Sequence, residues 1–181
     1  PSASPSASPS AYGIVYIDST TNGATSGTAI TCAAPASLQS GDVLIAIIHH
    51  NDTTTSIENN GAYPFTDCGM GRREYNSASA GVYIKYRVVG GNEPATYAWT
   101  GSKSERWCVI ILAYRGVDST IFDVAPSATT ELIDWTNPYT STSITTTTDG
   151  CMLIAVAFYD SSVVTWTSTP AAYTSRENNS G

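Results

Sequence analysis

Apolar positions along the chain come in short runs, either unbroken or alternating with polar residues, and hardly anywhere at the three-to-four-residue spacing of a helix. The unbroken run Asp42–His50 reads as a strand buried on both faces. In Gly81–Val89, Val82, Ile84, Tyr86 and Val88 share one face and Tyr83, Lys85 and Arg87 the other, the alternation of a sheet covering a core. Along Arg106–Arg115, Trp107, Val109, Ile111 and Ala113 fall on one side, which makes Trp107 a core residue. Thr28–Ala33, Thr96–Thr100, Thr142–Thr147, Cys151–Asp160 and Val163–Thr167 complete the set, rich in residues that suit a pleated surface. Ahead of them Tyr12, Ile14 and Tyr16 alternate with Gly13, Val15 and Ile17 before a turn-rich stretch, Asp18–Gly27. Pro94, Pro126, Pro138 and Pro170 lie between the runs, where a missing N–H does no harm.

This pattern predicts an all-β fold, an antiparallel β-sandwich of jelly-roll or immunoglobulin-like type spanning residues 12–181. Residues 1–11 form a different region. They repeat P-S-A-S with Pro1, Pro5 and Pro9, carry nothing to pack, and read as an extended Pro/Ser/Ala arm.

The sandwich sequence contains an echo. Gly41-Asp42-Val43-Leu44-Ile45-Ala46-Ile47-Ile48 returns as Gly150-Cys151-Met152-Leu153-Ile154-Ala155-Val156-Ala157, each copy preceded by a Thr-bearing strand. Both copies lead through a polar loop to a turn with Pro and Tyr and then to Arg-Glu, Arg73-Glu74 in one and Arg176-Glu177 in the other. The first copy continues into Val82–Val89 and the Trp107 strand, while the second stops at Gly181. Two explanations fit: a chain that ends early at its C-terminus, or final strands supplied by a neighbouring subunit, since a sandwich without its edge strands is a template for strand addition.

Composition narrows the function classes. Charged residues make up 13% of the 181 and Ser and Thr take over the surface, an extracellular flavour. With a net charge of −7 the chain repels a phosphate backbone, so nucleic acid is not an expected partner. The longest apolar runs are strand-sized, so no membrane insertion is expected. Any export signal would have been removed, would lie upstream, or would not be needed if the protein leaves by lysis. Cys32, Cys68, Cys108 and Cys151 are widely spaced and only two histidines accompany them, which argues against zinc. They read as disulfide cysteines of unknown pairing or as buried thiols, and the extracellular composition tilts toward disulfides.

Catalytic chemistry finds no constellation. His49 and His50, adjacent on a strand, point to opposite faces and read as an exposed strand end, and no G-x-S-x-G accompanies them. Glu58, Asp67, Glu74, Glu93, Glu105, Asp123, Glu131 and Asp134 are scattered without a signature and read as solvated surface. Arg72-Arg73 reads as an ion-paired basic spot beside Glu74. The loop from Asp52 to Glu58 has enough oxygen ligands for a calcium ion, the one cofactor the sequence suggests. Trp135, with Tyr139, sits in a long polar connection and is the best exposed ring for stacking on a sugar.

Two pieces are specific, Glu93-Pro94-Ala95-Thr96-Tyr97 and Leu112-Ala113-Tyr114-Arg115-Gly116-Val117-Asp118. With G-D-V-L-I-A before them, over roughly Thr28 to Asp160, the chain resembles uncharacterised β-sandwich modules of bacterial extracellular proteins and tailed-phage structural proteins, whose fibres also carry Ser-Ala-Ser-Pro spacers. The resemblance implies a virion or cell-surface location and a structural subunit that is not an enzyme. Its partners would be other copies of itself or neighbouring subunits. The alternative is a carbohydrate-binding module that holds cell-surface glycans and hangs by its linker from a larger secreted protein.

Overall fold

The run that heads the echo forms the centre of the larger sheet. In this computed structural model, which describes residues 13–51, 57–59, 62–71, 73–75, 80–127 and 143–156, nine strands follow one another. They are β1 (Val15–Ala24), β2 (Ala29–Ala33), β3 (Val43–His50), β4 (Glu58–Asn59), β5 (Thr66–Asp67), β6 (Arg73–Tyr75), β7 (Ala80–Val88), β8 (Thr96–Thr100) and β9 (Trp107–Arg115). Six of them build a sheet in the order β1-β9-β3-β7-β5, with β6 also on β7, and three build a second sheet in the order β2-β8-β4. Every pairing is antiparallel. The chain is therefore an all-β protein, a β-sandwich. Among the described residues no helix is long and apolar enough to cross a membrane.

The core between the sheets follows from side-chain alternation. Leu44, Ala46 and Ile48 of β3 and Trp107, Val109, Ile111 and Ala113 of β9 meet Ile30 and Cys32 of β2 and Tyr97 and Trp99 of β8. Trp99 and Trp107 are both 0% exposed, and Trp107 donates its indole N–H to the Gly27 carbonyl at 2.7 Å. At about 1.5–3 kcal/mol for each large side chain taken out of water, this layer dominates the stability.

Several strand expectations hold to within a residue, including β2, β3, β7, β8 and β9, and Trp107 is core as its alternation predicts. Four others need correction. Asp18–Gly27 is not a turn region, because β1 runs to Ala24. Its polar side chains serve β2 and the loop after it: Thr20 donates to the Ala33 carbonyl, Asn22 donates to the Thr31 carbonyl and Asp18 accepts from the Ala36 N–H, each at 2.6 Å. Such polar contacts hide a strand from a reading based on apolar alternation.

On β7 the alternation is correct but its sense is reversed. Tyr83, Lys85 and Arg87 lie opposite Ile48, Ala46 and Leu44 and so face the second sheet, while Val82, Ile84, Tyr86 and Val88 line the outer face. His50 is no exposed strand end. It is 0% exposed, with its ring centroid 4.2 Å from that of Trp107, its register partner.

The fourth correction concerns the echo. Residues 143–156 form no strand, and Met152, Leu153 and Ile154 are 37%, 47% and 37% exposed. The expected strand Val163–Thr167, the arm and the rest of the second copy lie outside the described residues.

Candidate functional site

Two ion-pair networks anchor the ends of the central strands, and both use the specific sequence pieces. Asp42, just before β3, is 2% exposed and receives a bidentate pair from Arg115 at the end of β9, Nε to Oδ1 and Nη2 to Oδ2, both at 2.8 Å. The Gln39 N–H donates to Oδ2 at 2.8 Å, and Arg115 donates further to the Ser37 carbonyl at 3.0 Å. Burial pushes the Asp42 carboxyl up, but the Arg115 and Gln39 hydrogen bonds and the Arg115 charge outweigh it and hold the group below its ordinary value.

The second network lies at the C-terminal end of β7, at the same end of the sheet, where Val88 pairs with Val43. Arg87 donates Nε and Nη2 to the two oxygens of Glu93, both at 3.0 Å, and Nη1 to the Pro64 carbonyl at 3.2 Å. Its guanidinium stands over the Tyr63 ring, 5.2 Å from the centroid. Glu93 also accepts from the Tyr97 hydroxyl and the Gly90 N–H, each at 2.7 Å. Burial acts to raise the Glu93 carboxyl, and the Arg87, Gly90 and Tyr97 hydrogen bonds reverse it to a net lowering. Tyr97 is raised well above the ordinary phenol range, by burial first and then by Glu93. Glu93 is thus not the solvated acid its scattered position suggests, since its side chain is only 8% exposed. Both networks are closed by their own hydrogen bonds, so they brace turns.

The outer face of the six-stranded sheet is of a different kind. Val43, Ile45, Leu112 and Tyr114 are buried there beneath residues that include Ile14, Val117 and Ile121, and the Phe122 ring packs edge-on against Tyr86 at 5.3 Å. Beyond Ile45, Tyr86 and Leu112 the same face continues to Ile47, Ile84 and Ile110, which are only half-buried, and at its other end Val88, beside Val43, is 50% exposed. A strand apolar on both sides belongs to a sheet covered on both sides, and here one side is covered in part.

Phe122 leads to Asp123, whose carboxylate collects four donors from the second half. These are the N–H and hydroxyl of Thr147 at 2.5 and 2.7 Å, and the N–H and hydroxyl of Thr148 at 3.3 and 2.6 Å. The Thr148 hydroxyl, then the Thr147 groups, hold Asp123 far below the ordinary carboxylate range. Cys151 follows and is raised, by burial first and then by the Asp123 charge. Three exposed apolar side chains come next, Met152, Leu153 and Ile154.

The residues singled out from the sequence are not gathered. Trp135, Tyr139 and Asp52 lie outside the described residues, Glu58 is described only by its backbone pairing in β4, and the Arg72–Glu74 spot is likewise without described side chains. No disulfide joins the four cysteines: Cys32 and Cys68 are buried, Cys108 and Cys151 half-buried. Among the described residues no group of three His, Cys, Asp or Glu is placed to hold a metal. Sequence reasoning missed Asp42, Arg115, Arg87 and His50 as interior or bracing groups; the signal for two of the networks was present in the specific pieces themselves, which contain Glu93, Tyr97 and Arg115. The fold and site together define a β-sandwich whose outer sheet face is covered only in part by the described residues. The chain matches no family model, no curated protein and no solved structure.

Proposed function

We propose that the chain is a non-catalytic structural or adhesive subunit of a virion appendage or extracellular surface filament. It would be a sandwich of jelly-roll or immunoglobulin-like type, carried on its Pro/Ser/Ala arm and assembling with other copies or neighbouring subunits through strand edges and apolar burial. The single observation behind this reading is the outer face of the large sheet: a row of Val, Ile and Tyr side chains left half-covered in the same chain that exposes Met152, Leu153 and Ile154. Ion pairs that are satisfied within the fold are in keeping with a scaffold. A sugar-binding reading would rest on Trp135 and Tyr139, while Trp99 and Trp107 are committed to the core.

Light scattering and electron microscopy of the purified chain test the proposal. Mass should rise with concentration toward dimers or filaments. A monomer that persists at high concentration removes the assembly reading.

A further inference from the structure

We propose that Asn22–Gly23 is a self-modifying site, at which the Gly23 backbone nitrogen attacks the Asn22 carboxamide, expels ammonia and turns the amide that ties β1 to β2 into a carboxylate. This chemistry is independent of the assembly reading above.

The two groups that must react are already in contact. The Gly23 N–H donates to Asn22 Oδ1 at 2.9 Å, which puts the attacking nitrogen beside the Cγ that carries that oxygen. The departing Nδ2 donates instead to the Thr31 carbonyl at 2.6 Å, so the carboxamide is held in one orientation. Both residues are exposed on β1, the edge strand of the six-stranded sheet, where hydroxide and water reach them from solvent. Gly23 also has no Cβ to hinder closure of a ring through its own nitrogen.

The Gly23 nitrogen loses its proton to hydroxide and bonds to Cγ. The Cγ–Nδ2 bond breaks, and ammonia leaves with a proton from water, closing a succinimide. Water then opens the ring at either carbonyl and leaves an aspartyl or isoaspartyl residue, with no change of oxidation state. The product carries one more negative charge than the −7 of the chain. It has lost the donor for Thr31, so two oxygens face each other where a hydrogen bond stood. Thr20 and Asp18 still hold β1 to β2 and the loop after it, so one end of the seam unlatches while the rest stays closed. The isoaspartyl form also lengthens the backbone by one carbon, which pulls Gly23 and Ala24 out of register with Cys108 and Trp107.

Ageing the purified chain in mildly alkaline buffer, followed by peptide mapping with mass spectrometry, tests this and separates Asn22 from the other Asn-Gly pair, Asn60–Gly61. Asn22 is expected to convert in the folded chain within about tenfold of its rate in urea, and Gly23→Ala to slow it about tenfold or more, since a Cβ hinders ring closure. The added methyl meets only the Trp107 carbonyl, at 3.5 Å, an ordinary contact, so this variant keeps the fold. Asn22→Asp, the aspartyl product made directly, should speed amide exchange in β2 at neutral pH relative to the parent. That difference should vanish below the ordinary Asp value of about 3.9, where the protonated acid donates to Thr31 again. Conversion slowed beyond tenfold by folding, or left unslowed by Gly23→Ala, overturns the proposal. So does an Asn22→Asp chain whose β2 amides exchange at neutral pH as the parent's do.

Discussion

Gly41–Ile48 and Gly150–Ala157 share Gly, Leu, Ile and Ala at corresponding positions, yet Leu44 is 0% exposed and Leu153 47%. The turn that precedes each run is the same, with Gly41 at φ 92° and Gly150 at φ 81°, a left-handed backbone that favours glycine. What differs lies to the sides. β3 has β7 and β9 as hydrogen-bonded neighbours over its whole length and a second sheet above it, and the described part of the later run has neither. The anchors differ as well. Asp42 is clamped by Arg115, and the corresponding residue in the echo is Cys151, which cannot form such a pair; the echo is instead held one turn earlier, through Thr147 and Thr148 on Asp123. An apolar strand sequence becomes a strand only where other strands complete its hydrogen bonds and cover its faces.

The largest expected effect separates the two leucines. In dilute protein Leu44→Ala should cost about 2–5 kcal/mol, through lost burial and the cavity left behind, whereas Leu153→Ala should cost about 0.5 kcal/mol or less. Urea unfolding checks this, and similar costs would mean that the echo is packed as β3 is.

The anchors should divide in the same direction. Asp42→Ala removes a buried acceptor from Arg115 and the Gln39 N–H, at a cost of about 2–3 kcal/mol, kept toward the low side because Arg115 can turn to water. Cys151→Ala should shift stability by about 0.5 kcal/mol or less.

Acid should strip support from the first half. The carboxyls of Asp42 and Glu93 are lowered in the folded chain from ordinary values of 3.8 and 4.5, so the stability they contribute is present above those values. It is lost as pH falls below them, through the folded values. Thermal melts between pH 3 and 7 should therefore drop on the acid side, with a shallower drop in Glu93→Gln. An acid limb unchanged in that variant would remove Glu93 as a contributor.

The smallest effect concerns the pin. Asp123→Ala should speed amide exchange at Thr147 and Thr148 while leaving the amides of β3 protected, since the contact is on the surface and local. Faster exchange throughout β3 would show that the two copies are more tightly coupled than their exposures imply.

Much of the strand pattern could be read from alternation, and the site much less so. Thr96–Thr100 coincides with β8 and Trp107 is core, because period-two burial is written directly into residue order. The start of β1 showed in the alternation up to Ile17, but the rest was hidden, because Thr20 and Asn22 are polar for the sake of β2's backbone and Asp18 for the Ala36 N–H just beyond it. Glu93 and Asp42 could not be told from surface acids, since their cations, Arg87 and Arg115, are identified only when strands align.

Residue order by itself determined the all-β character and most strand positions in the first half, because period-two alternation is a property of a few successive residues. The tertiary structure alone decided which side of β7 faces the core, that His50 lies against Trp107, which charges pair, and that one apolar run is a central strand while its near-copy is exposed. Those outcomes depend on hydrogen-bond partners and apolar cover from distant parts of the chain, and a strand carries in its own sequence no record of which neighbours it will find.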